Sequence, residues 1–341
     1  MKLKNILKGI ISGLCVFLTS CSHAIGKNAT TFDWLATESA PSHYPMQIIN
    51  GDFFYHGQGG SKYIPSGGTL YAGWGNSIST HVGGDERYPL PDRLNIIFFS
   101  YTEKQFYKGE LELPYEKMLE LFREGIAANK QLPHYREVMV GIAPGGAVSV
   151  WMTGVRTKEV FFGQAQKIDL RYSRVLGLRF DNQQEEDAFI YKQLTNVLKP
   201  EELESLKKDG VPFGLWARYR NLYRWIPVLT PGTTLKRSEI GIRYLNGESS
   251  PETLPFKKET SDTTRPLPSR VVFVPIISGV GRPYVVNFDE YELMETFEKL
   301  GAKGELVNIE FDPREPRQAS RLRVYNDKES IELKKTIISD R

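Results

Sequence analysis

The chain has 341 residues, with 44 Lys and Arg against 41 Asp and Glu, and 40% of its side chains are hydrophobic and 12% aromatic. That apolar share excludes wholesale disorder. The near-neutral balance excludes a dedicated nucleic-acid binder, which would show a basic excess. The length predicts two domains or two lobes, with a core large enough to need no disulfide.

The first residues read as a secretory leader. Lys2, Lys4 and Lys8 precede an apolar stretch from Gly9 to Leu18, followed by small residues. The stretch is well short of the ~20 residues a membrane-spanning helix needs. Its end, Leu18-Thr19-Ser20-Cys21, resembles the lipobox of bacterial lipoproteins, where cleavage falls before a cysteine whose thiol then carries a diacylglyceryl group. The ordinary alternative is a signal cut near Ala24 that leaves no anchor. Cleavage at the lipobox would remove Cys15, the one other cysteine, so Cys21 is predicted to be a lipidation site and not a disulfide partner. Two or more acyl chains hold a protein on a bilayer where one does so only marginally. Ser22 follows the cysteine, and by resemblance to lipoprotein sorting rules the expected address is the outer membrane, facing the periplasm. Without the three leader lysines the chain carries 41 basic and 41 acidic groups.

Residues 1–20 are thus the expected leader, and 21–40 the lipidated cysteine and tether. The part from Ser22 to Thr31 is small and polar, and ten such residues reach ~17 Å as flexible coil. From Tyr44 the text turns β-rich. "YPMQIINGDFFY", "TLYAGWG" and "RLNIIFFSY" are aromatic and branched runs bounded by Gly, Pro and Asn, the pattern of strands. In Leu113–Lys130, Tyr115, Met118, Leu119 and Phe122 fall at helical spacing. "EVMVGIAPGGAVSVWMTG" predicts a hairpin turning at Pro144-Gly145-Gly146, and "KEVFFGQAQKI" a further strand. A polar helical connector broken by Pro200 follows, so the first lobe is placed at 41–170 and the connector at 171–211. The second lobe, 212–341, reads as strands with the helix "DEYELMETFEKLG" and a mobile Pro/Ser/Thr-rich insertion at 247–269.

The order looks repeated. "PDRL" at Pro91 and "PSRV" at Pro268 each lead into strands and a helix. Aligning the helices sets Tyr115 on Tyr291 and Met118 on Met294. "HYPMQI" has a loose counterpart in "LYRWIPV", and "GTLYAGWGNS" in "SEIGIRYLNGES". The expected fold class is α+β: two related β-rich lobes, each a mainly antiparallel sheet with a packed helix.

Chemistry is sparse. Leu70–Leu94 concentrates Gly, Ser, His, Asp and Trp74, and within it Ser77 or Ser79, His81 and Asp85 are the residue types of a nucleophile triad. Yet "GNSIS" lacks the second glycine of a nucleophile elbow, and three members within nine residues rarely converge. The bland reading is a Gly-containing turn with Ser and Asp bonding local backbone. No histidine pair has metal-ligand spacing, and "PGG" and "GVGRP" match no nucleotide-binding pattern, so neither metal nor cofactor is expected. In "LWARYRNLYRWIP", a strand would put Arg218, Arg220 and Arg224 on one face and Tyr219, Tyr223 and Trp225 on the other. These residue types dominate interface hot spots, although ordinary core packing gives the same alternation. Candidate partner-binding residues are therefore Trp74, His81, Asp85, Arg218, Tyr219, Arg220, Tyr223 and Trp225, with no catalytic residue assigned.

Long stretches, among them "YPMQIINGDFFY", "IPSGGTLYAGWGNSISTHVGGDERYPLPDRLNIIFFSYTEKQFYKGELELPYEKMLELFREG" and "LYRWIPV…IRYLNGE", resemble a bacterial lipoprotein family, the domain-of-unknown-function family 2931. The resemblance is close over roughly residues 40–170 and looser over 210–330. It implies a secreted lipoprotein from a family with no settled biochemical role. Such genes often lie in several copies beside phospholipase effectors of type VI secretion, which implies immunity: binding and neutralising an incoming lipase. The expectation is thus a non-enzymatic binding protein whose partners are the membrane, through its lipid, and a secreted phospholipase. The alternatives are an envelope structural or assembly lipoprotein binding peptidoglycan or a secretion component, and an enzyme using His81 and Asp85.

Overall fold

The computed structural model describes residues 28–79, 86–128, 135–256, 262–301, 304–316 and 319–339. The segment 1–27, read above as a leader and a lipidation site at Cys21, and the candidate residues His81 and Asp85 lie outside the described residues.

The first half opens with β1 (Thr31–Phe32), β2 (Leu35–Ser39), β3 (Met46–Tyr55), β4 (Ser61–Tyr63) and β5 (Tyr88–Pro89). Then come β6 (Pro91–Ser100), β7 (Gln105–Glu112), α1 (Tyr115–Ala128), β8 (Tyr135–Ala143), β9 (Ala147–Gly154), β10 (Thr157–Gln164) and β11 (Gln166–Ile168). The connector is helical: α2 (Tyr172–Leu176), α3 (Gln183–Val197) and α4 (Pro200–Asp209), with the short α5 (Leu215–Arg218) after it. The second half begins with β12 (Tyr223–Leu229), β13 (Thr234–Leu235), β14 (Glu239–Tyr244), β15 (Ser249–Thr253), β16 (Thr264–Arg265) and β17 (Pro268–Phe273). It ends with β18 (Pro275–Ile277), β19 (Val280–Gly281), β20 (Tyr284–Asn287), α6 (Glu290–Leu300), β21 (Val307–Asp312), β22 (Arg321–Tyr325), β23 (Ser330–Glu332) and β24 (Ile337–Ser339).

The fold is α+β, with mainly antiparallel sheets and a few helices. A nine-stranded sheet runs β2-β8-β9-β10-β15-β14-β17-β20-β24, and each half adds a five-stranded sheet: β11-β7-β6-β3-β4 and β16-β12-β21-β22-β23. The first core gathers Phe53, Leu94, Ile96 and Phe98 from one sheet, Val138, Val140, Val148 and Val150 from the other, and Met118 and Phe122 of α1. The second gathers Ile240, Ile242, Val271 and Val286 with Trp225, Ile309, Val324 and Phe297 of α6. A third cluster packs the connector, through Tyr172, Ile190 and Leu194, on Phe99, Tyr101 and Phe106.

The halves share one topology. In each, a meander (β3-β6-β7 or β14-β17-β20) carries a short strand at one edge (β4 or β15) and a late strand at the other (β11 or β24). Each also has an early strand parallel to the first strand after the helix: β2 with β8, and β12 with β21. Side chains repeat as well. Trp34 Nε1 donates to Pro89 O at 3.1 Å and Trp225 Nε1 to Pro266 O at 3.0 Å, at the starts of "PLPDRL" and "PLPSRV". Lys62 stands over the Trp34 ring at 4.8 Å and Arg265 over the Trp225 ring at 5.5 Å.

Several expectations need correction. The two lobes share a sheet: the nine-stranded sheet passes from β10 to β15 through one paired position, Thr157↔Ser249. The sequence pairing of the repeats was also misplaced. By strand order β12 corresponds to β2 and β14 to β3, and by burial the helices correspond one residue off the letter match. The buried Met118, Leu119 and Phe122 correspond to Leu293, Met294 and Phe297, since burial, not identity, sets helix phase. The tether region 21–40 contains β1 and β2, with Trp34 fully buried. The segment 247–269 holds β15 and β16, and its Leu267 is in the core. "TLYAGWG" is not a strand beyond a bridge at Leu70, because positive φ at Gly73 and Gly75 bends the chain.

Candidate functional site

The junction of the halves brings some nominated residues together. Residues 64–79 form a strap, held through Ser39 Oγ to Gly73 O at 3.0 Å and Thr37 Oγ1 to Ser77 Oγ at 2.8 Å. Ser79 donates to Glu38. These bonds deliver Trp74 into an aromatic cluster. Its ring lies 4.9 Å from Trp151, edge-on, and 6.4 Å from Trp216, which in turn meets Tyr44 at 5.6 Å. Trp151, fully buried, donates Nε1 to Asn246 O at 2.9 Å, tying the first half to the β14–β15 turn. The turn and strap meet glycine against glycine. Gly75 (φ +76°) and Gly247 (φ +86°) approach so closely that a Cβ on Gly75 would overlap the Gly247 backbone.

"LWARYRNLYRWIP" does not form the continuous strand expected of it. Gly214, in the left-handed conformation, starts a single helical turn at Leu215, and strand geometry begins only at Tyr223. The period-two pattern of Arg218, Tyr219 and Arg220 is therefore coincidental, and the predicted alternation holds only within β12, where Tyr223 and Trp225 share one face and Arg224 the other. Arg218 pairs with Glu298 at 2.8 Å on the surface, and Tyr223 packs on Phe297 at 5.4 Å. Trp225 belongs to the second core. Tyr219 is buried and its hydroxyl donates to Glu290 at the start of α6. Burial pushes the Tyr219 hydroxyl well above its ordinary value and also raises the Glu290 carboxyl, against the lowering effect of the Tyr219 bond.

Arg220 is the nominated residue with the richest surroundings. It reaches across the junction to the Glu159 carboxylate, and its Nη2 stands 2.5 Å from Ser149 Oγ. Ser149 donates to the same Glu159 oxygen at 2.8 Å. The guanidinium lies 3.4 Å above the Phe162 ring and also donates to Trp216 O. Burial raises the Glu159 carboxyl and lowers Arg220, each against the pull of the other, so desolvation outweighs pairing for both. Where β10 and β15 diverge beyond their single rung, Glu248 fills the gap. Its Oε1 accepts from the Glu159 N–H at 3.1 Å and pairs with Lys158 at 2.9 Å.

This divergence opens a cleft of about 660 Å³, lined by Lys117, Arg156, Lys158, Glu159, Arg220 and Glu248 among others. Its walls carry both signs of charge, suited to a polar surface of mixed charge. A second, open recess of about 560 Å³ holds His56, whose Nδ1 is 2.9 Å from Asp92 Oδ2 and whose ring stacks on Tyr115 at 3.7 Å. The residues lining it supply no Ser, Thr or Cys beside that dyad. Among the described residues no group of three His, Cys, Asp or Glu is placed to hold a metal ion, and no helix is long and apolar enough to cross a membrane.

Sequence reasoning missed Glu159, Ser149, Glu248, Trp151 and Trp216. The available signal was a carboxylate inside the apolar strand text "KEVFFGQ", which needs a partner to be tolerated.

A family model described as "Protein of unknown function (DUF2931)" matches residues 22–214. The chain belongs to this family. The match takes in the first half and the connector and stops at the glycine before α5. Comparisons with curated proteins and with solved structures found no match.

Proposed function

We propose that this member of the DUF2931 family is a periplasmic lipoprotein, anchored by Cys21 in the outer membrane, that acts as a non-catalytic binding protein. Its most specific form is an immunity protein that neutralises a lipase effector of type VI secretion. Leu18-Thr19-Ser20-Cys21 supports the anchor, and an anchored inhibitor is concentrated where a lipase acts. The observation that carries the binding reading is how the junction spends its charges. Arg220, Glu159, Ser149, Glu248 and Lys158 bond one another across the halves, which stiffens the cleft as a recognition surface. On its wall Leu222 is 57% exposed.

The test is a pull-down from the native strain with tagged residues 22–341, read by mass spectrometry. Recovery of a lipase whose capture is lost in an Arg220→Ala, Leu222→Asp variant supports the reading. Recovery of cell-wall or secretion-machinery proteins instead replaces it with an envelope assembly role. For the anchor, Cys21→Ser at native expression is expected to weaken protection while purified binding persists; undiminished protection removes the tether from the argument.

A further inference from the structure

The repeat allows one half to be read against the other, position by position. In the first half Phe54 of β3 pairs with Arg93 of β6, and Arg93 with Glu112 of β7. In the second, Arg243 of β14 pairs with Arg270 of β17, and Arg270 with Asn287 of β20. The correspondence is fixed by a register shift at the same place in both ladders, between Phe54 and Tyr55 and between Arg243 and Tyr244. The next edge strand contributes Ser61 to one row and Ser249 to the other.

The rows differ in how their shared arginine is neutralised. Arg93 lies 4.6 Å over the Phe54 ring and has a carboxylate across from it on β7. Arg270 has a second guanidinium where the ring was and an amide where the acid was. Like charges directly opposite on a sheet are destabilising. Arg243 is half-buried and its named partner is the neutral Asn76 Oδ1, while Arg270 Nε is buried with no hydrogen-bond partner. Among the described residues no carboxylate is ion-paired with either. Burial, and secondarily Arg270, push the Arg243 guanidinium below its ordinary value, as expected for two cations held together with no counter-charge. Both line an open recess of about 230 Å³, with Val155, Gly241 and Ser249.

We propose that Arg243 and Arg270 form a binding site for a phosphate group, the phosphomonoester of a soluble metabolite or of an anionic lipid headgroup. Two guanidiniums match the nearly two negative charges of a phosphomonoester and present forked donors to its oxygens. Ser249 adds a hydroxyl at the rim. A single carboxylate would leave one cation uncompensated. The site lies on the nine-stranded sheet and does not depend on the immunity reading.

The test is calorimetric titration of inorganic phosphate into the full chain in non-ionic detergent at low salt, with melting temperature as a second readout. Saturable binding that raises Tm is expected, weakened about tenfold or more in Arg270→Gln. Arg243→Phe, which rebuilds the ring–arginine pair of the first-half row, is expected to fold and to lose the phosphate-dependent rise in Tm. No saturable binding, or unchanged affinity in a folded Arg270→Gln variant, overturns the site. Competition by micelles doped with phosphatidic acid, and not with phosphatidylcholine, supports the site with a lipid headgroup as source. Phosphate binding without that competition supports it with a soluble phosphomonoester.

Discussion

The two halves reach one architecture with different side chains. Each fixes its early strand by a buried tryptophan that donates to the proline opening "PLPDRL" or "PLPSRV", with a cation over the indole. They diverge where the backbone does not demand a particular residue: Phe54 against Arg243, Glu112 against Asn287, Tyr115 against Glu290 at the helix start. The lesson is that strand order and the tryptophan clamp carry the fold, while the rows across the outer face are available for other uses. The family match ends at residue 214, yet the strand order continues through the second half.

The largest effect should come from the clamps. Trp34→Ala and Trp225→Ala are each expected to cost about 3–5 kcal/mol, by loss of a fully buried indole and the cavity left behind. Because one sheet runs through both halves, urea denaturation followed by circular dichroism should show a single transition in either variant. Two separated transitions in Trp225→Ala would mean that the halves unfold independently.

Next comes the joint itself. Arg220→Ala leaves the Glu159 carboxylate in a buried site without its cation, and a loss of about 2–4 kcal/mol is expected, discounted because the guanidinium is one-fifth exposed. Arg220→Met combined with Glu159→Leu should recover most of that loss. A double variant as unstable as the single would show that the ion pair is more than a replaceable filler.

Glu290 sharpens the comparison through pH. Burial holds its carboxyl above the ordinary glutamate value of about 4.3. The folded state therefore binds this proton more readily than the unfolded chain does. Its contribution to stability is complete below the unfolded value and is lost as pH rises through the folded one. Relative to wild type, Glu290→Gln should lose that slope above about pH 4.3, whereas Tyr115→Phe at the matching position should not. Parallel stability–pH curves for wild type and Glu290→Gln would refute the assignment.

The smallest effect is Arg243→Phe, expected to stabilise by about 0.5–1 kcal/mol as a cation–π contact replaces cation–cation repulsion. A chemical melt without phosphate measures it. A loss of stability would mean that Arg243 is held by more than Asn76.

Much of the architecture was legible from alternation and punctuation. β6, α1 and the hairpin at Pro144-Gly145-Gly146 each announce themselves within one short window. The candidate site was legible only in pieces. Trp74, Tyr219 and Arg220 stand out by composition, but the partner that gives Arg220 its meaning, Glu159, is 61 residues away. Arg218 misled because two arginines at even spacing look the same in a turn as in a strand. The true phase of the repeat was hidden because Met118 and Met294 share a letter while sitting at different points of the helix face.

The back-to-back glycines of the strap and the β14–β15 turn have a consequence for how such a chain can be recombined. Neither half can be exchanged for another version without regard to what the other presents at that point. A chimera joining residues 28–214 to a second half with any side chain at the Gly247 position meets the Gly75 backbone and Trp151 directly. The parts of this duplicated protein are thus not interchangeable modules but a matched set, keyed at one point too narrow for a methyl group.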